Sequence, residues 1–339
     1  MSRTEQVRMN LEQGRVGSAT TWAVPLSEPF HHWTVPLAVM DGEEARRVGT
    51  AFHFSRLGHL FTARHCVDEA LDYNDRGRDL AGREHSVRIA RPLVVLRTTD
   101  SARNAIEGFA VLTVTSPEPC DVACLTTMFQ TAIPQLTLPI SFALPPAGSK
   151  VRAFGYPNGD HDKLVPDSLQ AVEGEVLAHF PPRFDAGFMR GPAFLVSGSV
   201  PHGMSGGPVV NESGAACGLV SAGAENLVGR PAFLVSPLYP ALMIEVAVHA
   251  RPASNLRING SRTFMDLCAE GFISTDGTED QVHFTPADGG LQIGPIMPVG
   301  SRPFVFDSFA DFLENRPSTP ITGPTFRIRV HEVEQPSND

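Results

Sequence analysis

The stretch His202-Gly203-Met204-Ser205-Gly206-Gly207-Pro208-Val209-Val210 decides how this chain is read. A serine set between glycines, followed by Gly-Pro and a β-branched pair, is more than a turn. Glycine keeps side chains away from the serine hydroxyl and lets main-chain N–H groups aim at one point. On that reading the N–H groups of Gly203 and Ser205 form an oxyanion hole, and Val209-Val210 begins a strand that steadies the loop. The plainer reading is a Gly-rich hairpin turn.

Working outward, a serine hydroxyl becomes a nucleophile only beside a base, and the base needs a group to orient it. Phe61-Thr62-Ala63-Arg64-His65-Cys66 places a histidine just past an apolar strand. Cys120-Asp121-Val122-Ala123-Cys124-Leu125 sets one carboxylate at the head of an apolar run. Thr-Ala-x-His-Cys, Asp-x-Ala-x-Leu and Gly-x-Ser-Gly-Gly-Pro, in the order His, Asp, Ser, together resemble the trypsin-like (chymotrypsin-fold) serine peptidases of the bacterial intracellular type. The resemblance runs from about Val48 to about Val248. It implies His65 as general base, Asp121 as its orienting acid and Ser205 as nucleophile, with Gly203 and Ser205 supplying the oxyanion hole. It further implies an all-β chymotrypsin-like double barrel of two six-stranded antiparallel sheets, hydrolysing peptide bonds with no cofactor and no metal.

Asp121 has two rivals. Asp68 is too near His65 in sequence to reach the far side of the ring easily. Asp100, within Thr98-Thr99-Asp100-Ser101, looks like a turn residue. Asp121 precedes an apolar strand, which would set it between barrels with limited water.

Three features depart from secreted relatives. Met204 precedes the nucleophile where trypsin-like zymogens carry an aspartate, so activation by a freshly cut N-terminus is not expected. Ser199 lies where the trypsin-type pocket has its acid. Ser221-Ala222-Gly223 resembles the segment that pairs with substrate backbone, and its small side chains leave room. The expected substrate therefore has a neutral residue before the scissile bond.

The rest of the chain fits this frame. Val48–Phe54 and His59–Ala63 read as a hairpin around Ser55-Arg56-Leu57-Gly58, with a helical turn over Cys66–Leu71. Strands are expected at Val87–Arg97, Phe109–Val114 and Val122–Thr126, after a charged loop over Asp72–Glu84. Thr131–Gly148, with four prolines, reads as the crossover between barrels. Val151–Tyr156, Gln170–His179, Ala193–Gly198, Val209-Val210, Ala216–Ala222 and Ala232–Ser236 supply the second barrel. Leu238–His249 reads as a closing helix, with Leu242, Met243 and Val246 at helical spacing. Residues 1–20 read as an arm, and Pro25 and Pro36 suggest one or two edge strands over Thr21–Met40. The domain boundaries expected are 21–250 for the barrels and 251–339 for a C-terminal extension or small α+β domain. That extension would hold a hairpin of Cys268–Ser274 with Gln281–Phe284, a helix capped by Asp307 through Phe309, Phe312 and Leu313, and a strand at Phe326–Val330.

Composition narrows the partners. A net charge of −10 over 339 residues argues against nucleic acid, which needs a basic surface. No apolar run approaches the roughly 20 residues of a membrane-spanning helix. Met1–Gly17 lacks an apolar signal core, so a cytoplasmic location is expected. Five cysteines, Cys66, Cys120, Cys124, Cys217 and Cys268, make no disulfide framework. In secreted relatives the cysteine after the catalytic histidine is bridged; Gly49–Phe54 offers no partner, so Cys66 reads as a small apolar side chain. Neither metal binding by Cys120 and Cys124 nor a ligand role for His31-His32 is favoured, because no second ligand pair has zinc-site spacing.

The reading is thus a serine endopeptidase acting on a protein or peptide, with a regulatory protein partner conceivable for the tail. Its main alternative is a catalytically silent peptide-binding or scaffolding module on the same barrels. A lone esterase shares the chemistry but not the double-barrel pattern.

Overall fold

The computed structural model of the chain describes residues 20–42, 44–68, 70, 91–100, 105–118, 120–127, 137–158, 168–181, 184, 189, 191–225, 231–249, 259–287, 290–298 and 327–332. The arm expected before Thr20, the Asp72–Glu84 loop, most of the crossover and the helix after Asp307 lie outside these residues.

β1 (Thr20–Ala23) and the one-turn helix α1 (Phe30–Trp33) lead into β2 (Thr34–Asp41), β3 (Glu44–His53) and β4 (His59–Ala63). A second short helix, α2 (Arg64–Asp68), is followed by β5 (Leu93–Asp100), β6 (Ala105–Glu118) and β7 (Val122–Thr127). β2 through β7 close into an antiparallel barrel in the order β6-β5-β2-β3-β4-β7, with β7 returning to β6. Bulges at Leu37/Ala38 and Val111/Thr113 supply the bending that closure needs. The β3–β4 hairpin pairs Ala51 with Thr62 and His53 with Leu60, as its alternation predicts.

β2 corrects one expectation. It is not an edge strand: it sits between β3 and β5. Val35, Leu37, Ala38 and Val39 are all buried, and such unbroken burial belongs to an interior strand. Pro36 is one residue short of the Leu37–Val39 run that pairs with β5. β1 is the edge, laid along Gln170–Glu173 of the second barrel. Asp100 is also corrected, being the last residue of β5, opposite Ala105, and not a turn residue.

The second barrel is built from β8 (Lys150–Gly155), β9 (Gln170–Phe180), β10 (Ala193–Ser197), β11 (Pro208–Val210), β12 (Ala216–Gly223) and β13 (Ala232–Pro237). They close in the order β8-β9-β10-β13-β12-β11 and back to β8, with β1 added outside β9. The fold is therefore the chymotrypsin-like double barrel that the resemblance implies.

Beyond the barrels the sequence reading needs correction. Leu238–His249 is not a helix. A 3-10 turn at Tyr239–Met243 gives way to β14 (Glu245–His249), which pairs with β15 (Asn259–Thr263). Pro240 suits the start of a short turn, and the burial of Val246 and Val248 around half-buried Ala247 has period two. Cys268–Ser274 does not pair with Gln281–Phe284. Instead Thr263 and Asp266 form a capping box that starts helix α3 (Phe264–Ala269). The hairpin lies further on, between β16 (Val282–Ala287) and β17 (Gly290–Pro295). The last strand, β18 (Arg327–Glu332), adds to β6 of the first barrel, with Arg327 opposite Glu118.

The described part of the extension shares the barrels' core. Phe264 is fully buried and stacks on Phe54 and Phe61 of the first barrel, with ring centroids 5.1 and 5.6 Å apart. Phe142, from the crossover, meets the same ring edge-on at 5.7 Å. Leu267, Ile273, Val282 and Ile293 join the same buried cluster. Deleting a buried phenylalanine leaves a cavity as well as losing burial, so Phe264→Ala is expected to cost about 3–5 kcal/mol. Urea unfolding measures it; a loss below about 1 kcal/mol would mean that α3 rests on the barrels without sharing their core.

Candidate active site

The first barrel brings His65 and Asp121 together through strand pairing. Ala63 at the end of β4 lies opposite Val122 at the start of β7. That pairing sets α2 beside the residue before β7, and the Arg64 N–H donates to the Asp121 carbonyl at 3.2 Å. The Asp121 carboxylate is buried, at 8% exposure. Its Oδ1 accepts from the His65 backbone N–H at 3.0 Å, and the ring Nδ1 lies 3.1 and 3.0 Å from its two oxygens. A carboxylate only accepts, so Nδ1 carries the proton and a neutral ring presents Nε2 as a base. Burial works against the imidazolium, but the Asp121 charge and hydrogen bond outweigh it and raise the His65 pKa above 6.5. Asp68 makes no rival: it lies 3.9 Å from Arg64 on the same short helix.

The sulfur of Cys66 lies 3.6 Å from His65 Nε2 and 3.7 Å from the Ser205 carbonyl oxygen. Cys66 is a buried thiol. A Cβ at Gly49 would sit 2.6 Å from that sulfur, so glycine there is what makes room for it. Cys120 and Cys124 are buried free thiols too, and burial pushes both pKa values up, leaving them neutral.

The second barrel supplies the serine loop, and the loop is tied down carbonyl by carbonyl. The His202 carbonyl accepts from the Asn158 N–H at 2.6 Å, and the Met204 carbonyl from the Gly207 N–H at 3.0 Å. In a trans peptide C=O and N–H point oppositely. The amides of Gly203 and Ser205 therefore face away from those two anchors. Gly203 has φ +94° and Gly206 φ +84°, both in glycine's territory. A Cβ on Gly206 would also collide with the Thr50 carbonyl. Met204 is fully buried and lies over Gly155, where a Cβ would be 2.8 Å from its Cα.

The Ser205 hydroxyl donates to the Ser221 carbonyl at 3.3 Å. The Ser221 hydroxyl is buried and shares a hydrogen bond with Ser236 at 2.9 Å. Ala222 is half-buried, and Gly223 is exposed with open space where a side chain would stand. Ser199 is exposed past the end of β10 and joins no hydrogen bond among the described residues. His65, Asp121, Ser205 and the Ser221 strand are thus assembled by the folding of both barrels, whereas nothing places Ser199 in the same cluster.

Two residues of this site escape sequence reading. Thr50 bonds to the serine loop from the first barrel, and Asn158 holds the His202 carbonyl. Gly49-Thr50 at a strand's apolar half gives a faint signal for the first; nothing marks the second.

Residues 49–219, just over half the chain, match the trypsin-like peptidase domain family, and the chain belongs to it. It is a trypsin-like peptidase by family and by fold. Among solved structures it is similar to the apo MamO protease domain of Magnetospirillum magneticum, at 16% identity and TM-score 0.46 over 63% of this chain and 95% of that one. Deg5 is 17% identical, with TM-score 0.43 over 70% and 91% of the two chains. The active form of the Rv3671c protease of M. tuberculosis is 18% identical, with TM-score 0.41 over 61% and 77%. No curated protein sequence matches the chain.

Proposed function

We infer that the chain is a cytoplasmic serine endopeptidase using Ser205 as nucleophile, His65 as general base and Asp121 as the group that orients it. The observation that carries this is the His65 ring held at Nδ1 by both oxygens of a buried carboxylate. Substrate binding draws the Ser205 hydroxyl from the Ser221 carbonyl to Nε2, which takes its proton as Oγ attacks the scissile carbonyl. The carbonyl electron pair moves to oxygen, where the Gly203 and Ser205 amides stabilise it. His65 then gives the proton to the departing amine, and water repeats the sequence to release the acid. No step requires a metal or cofactor.

The silent-module reading takes its support from the Ser205 hydroxyl resting on Ser221. A fluorophosphonate separates the two: the peptidase forms one stoichiometric adduct on Ser205, located by peptide mapping, and a silent module forms none. Ser205→Ala is the control.

With Ala222 and Gly223 small beside Ser221, cleavage is expected after small or medium apolar residues. A peptide library varied at that position checks it. A strong preference for Arg or Lys would mean that an acid enters the pocket from another loop.

A further inference from the structure

We propose that Thr50 is a positioning residue that holds the oxyanion loop in its working conformation from across the barrel interface. The inference rests on the serine-peptidase reading above and adds to it a determinant of the same site.

Thr50 is fully buried on β3 of the first barrel, and every polar atom it owns is committed. Its backbone N–H donates to the Ser205 carbonyl at 2.8 Å. Its carbonyl accepts from the Thr62 hydroxyl at 2.7 Å, which anchors it to β4. Its hydroxyl accepts from the Tyr156 N–H at 3.0 Å, just past β8 of the second barrel. A hydroxyl has one proton to give, and that proton goes to the Gly203 carbonyl, 2.8 Å away. One residue of the first barrel therefore grips the serine loop on both sides of Met204.

The consequence lies in what Gly203 is free to do. Its neighbouring peptides are oriented by two bonds: the preceding carbonyl by Asn158 and its own by the Thr50 hydroxyl. A glycine at φ +94° has an accessible alternative at negative φ, in which the preceding peptide turns over and its N–H leaves the hole. Removing the Thr50 hydroxyl leaves the Gly203 carbonyl and the Tyr156 N–H without that partner in a buried place, which favours rearrangement of the loop. The nucleophile and base stay where they are; the oxyanion donor becomes unreliable. Loss of transition-state stabilisation with intact ground-state binding lowers kcat and spares KM.

The test uses full-length wild type, Thr50→Val and Thr50→Ser, with valine keeping the shape and serine keeping the hydroxyl. A lost oxyanion donor costs about 100- to 1,000-fold, so a donor present part of the time predicts a kcat loss of about 10- to 100-fold in Thr50→Val, with KM within about threefold. Affinity for a peptide aldehyde, which forms a tetrahedral adduct, should fall in parallel, and Thr50→Ser should restore both. Hydrogen exchange across residues 200–208 is the readout independent of activity: faster in Thr50→Val, unchanged in Thr50→Ser. It also applies where Thr50→Val is too unstable for kinetics, since Thr50→Ser against a Thr50→Ala protein gives the same comparison. Unchanged kcat, aldehyde affinity and exchange in Thr50→Val overturn the proposal, as does a loss that serine fails to restore. If wild type itself neither cleaves nor reacts with fluorophosphonate while exchange still follows the hydroxyl, the peptidase reading fails and the grip on the loop stands.

Discussion

Ser205→Ala is expected to lower kcat for peptide hydrolysis on the order of a million-fold while the protein stays folded. The whole reaction passes through that oxygen, and no neighbouring hydroxyl takes its place. The Ser221 hydroxyl is buried against Ser236, and the buried Cys66 thiol is held between His65 Nε2, at 3.6 Å, and the Ser205 carbonyl, at 3.7 Å. Stability should barely change, because the hydroxyl's hydrogen bond to the Ser221 carbonyl is one neutral bond, worth about 1 kcal/mol. Steady-state kinetics with an internally quenched peptide, alongside a urea melt, checks both halves. Turnover within tenfold of wild type would remove Ser205 from the mechanism.

For Asp121→Asn the expected loss is about ten-thousandfold, the magnitude the same substitution has in the well-studied triad of another protease. The carboxylate accepts three contacts of 3.0–3.1 Å from the His65 backbone and ring. An amide reproduces its shape, but turning its NH2 towards Nδ1 forces the ring proton onto Nε2, where the base must be bare. The pH profile carries a second signature. The base works only when neutral, and His65 in the folded protein titrates above 6.5 because of Asp121. The acid limb of kcat/KM in wild type should therefore lie above the ordinary imidazole range, and in Asp121→Asn the residual activity should have its limb moved down. Stability follows the same sign: the stabilisation from the charged pair is fully present below pH 6.5 and is lost as pH rises through the folded value. Near-normal activity in Asp121→Asn beside an inactive Asp100→Asn would transfer the orienting role to Asp100.

Much of this site was legible because it is local. Thr62-Ala63-Arg64-His65, Asp121-Val122-Ala123 and Gly203-Met204-Ser205-Gly206-Gly207 each carry their chemistry within a few residues, and period-two alternation marks the strands that bring them together. What sequence hid is tertiary. Leu242, Met243 and Val246 fit a helical stripe, but Val246 and Val248 equally fit a strand, and pairing with Asn259–Thr263 decides between them. The start of α3 was present in Thr263-Phe264-Met265-Asp266 as a capping box, and was obscured by the apolar run that follows. β18 alternates well enough to be expected as a strand, yet nothing in its residues names β6 as its partner. The same holds for Thr50, whose importance comes from a glycine 153 positions away.

The two added strands have a consequence for how the protein is made. β1 precedes the first barrel in the chain but lies on the second, and β18 follows the second but lies on the first. A polypeptide emerging from the ribosome therefore has its first barrel complete in sequence long before the strand that covers the edge of β6 is synthesised. That edge is next to Cys120 and Asp121, and β18 can pair with it only after the strands of both barrels have been synthesised. On the proposed mechanism, Ser205 and His65 are likewise translated far apart and are brought together only when both barrels have formed. On the peptidase reading, a chain cut short before Ser205 carries no hydrolytic centre.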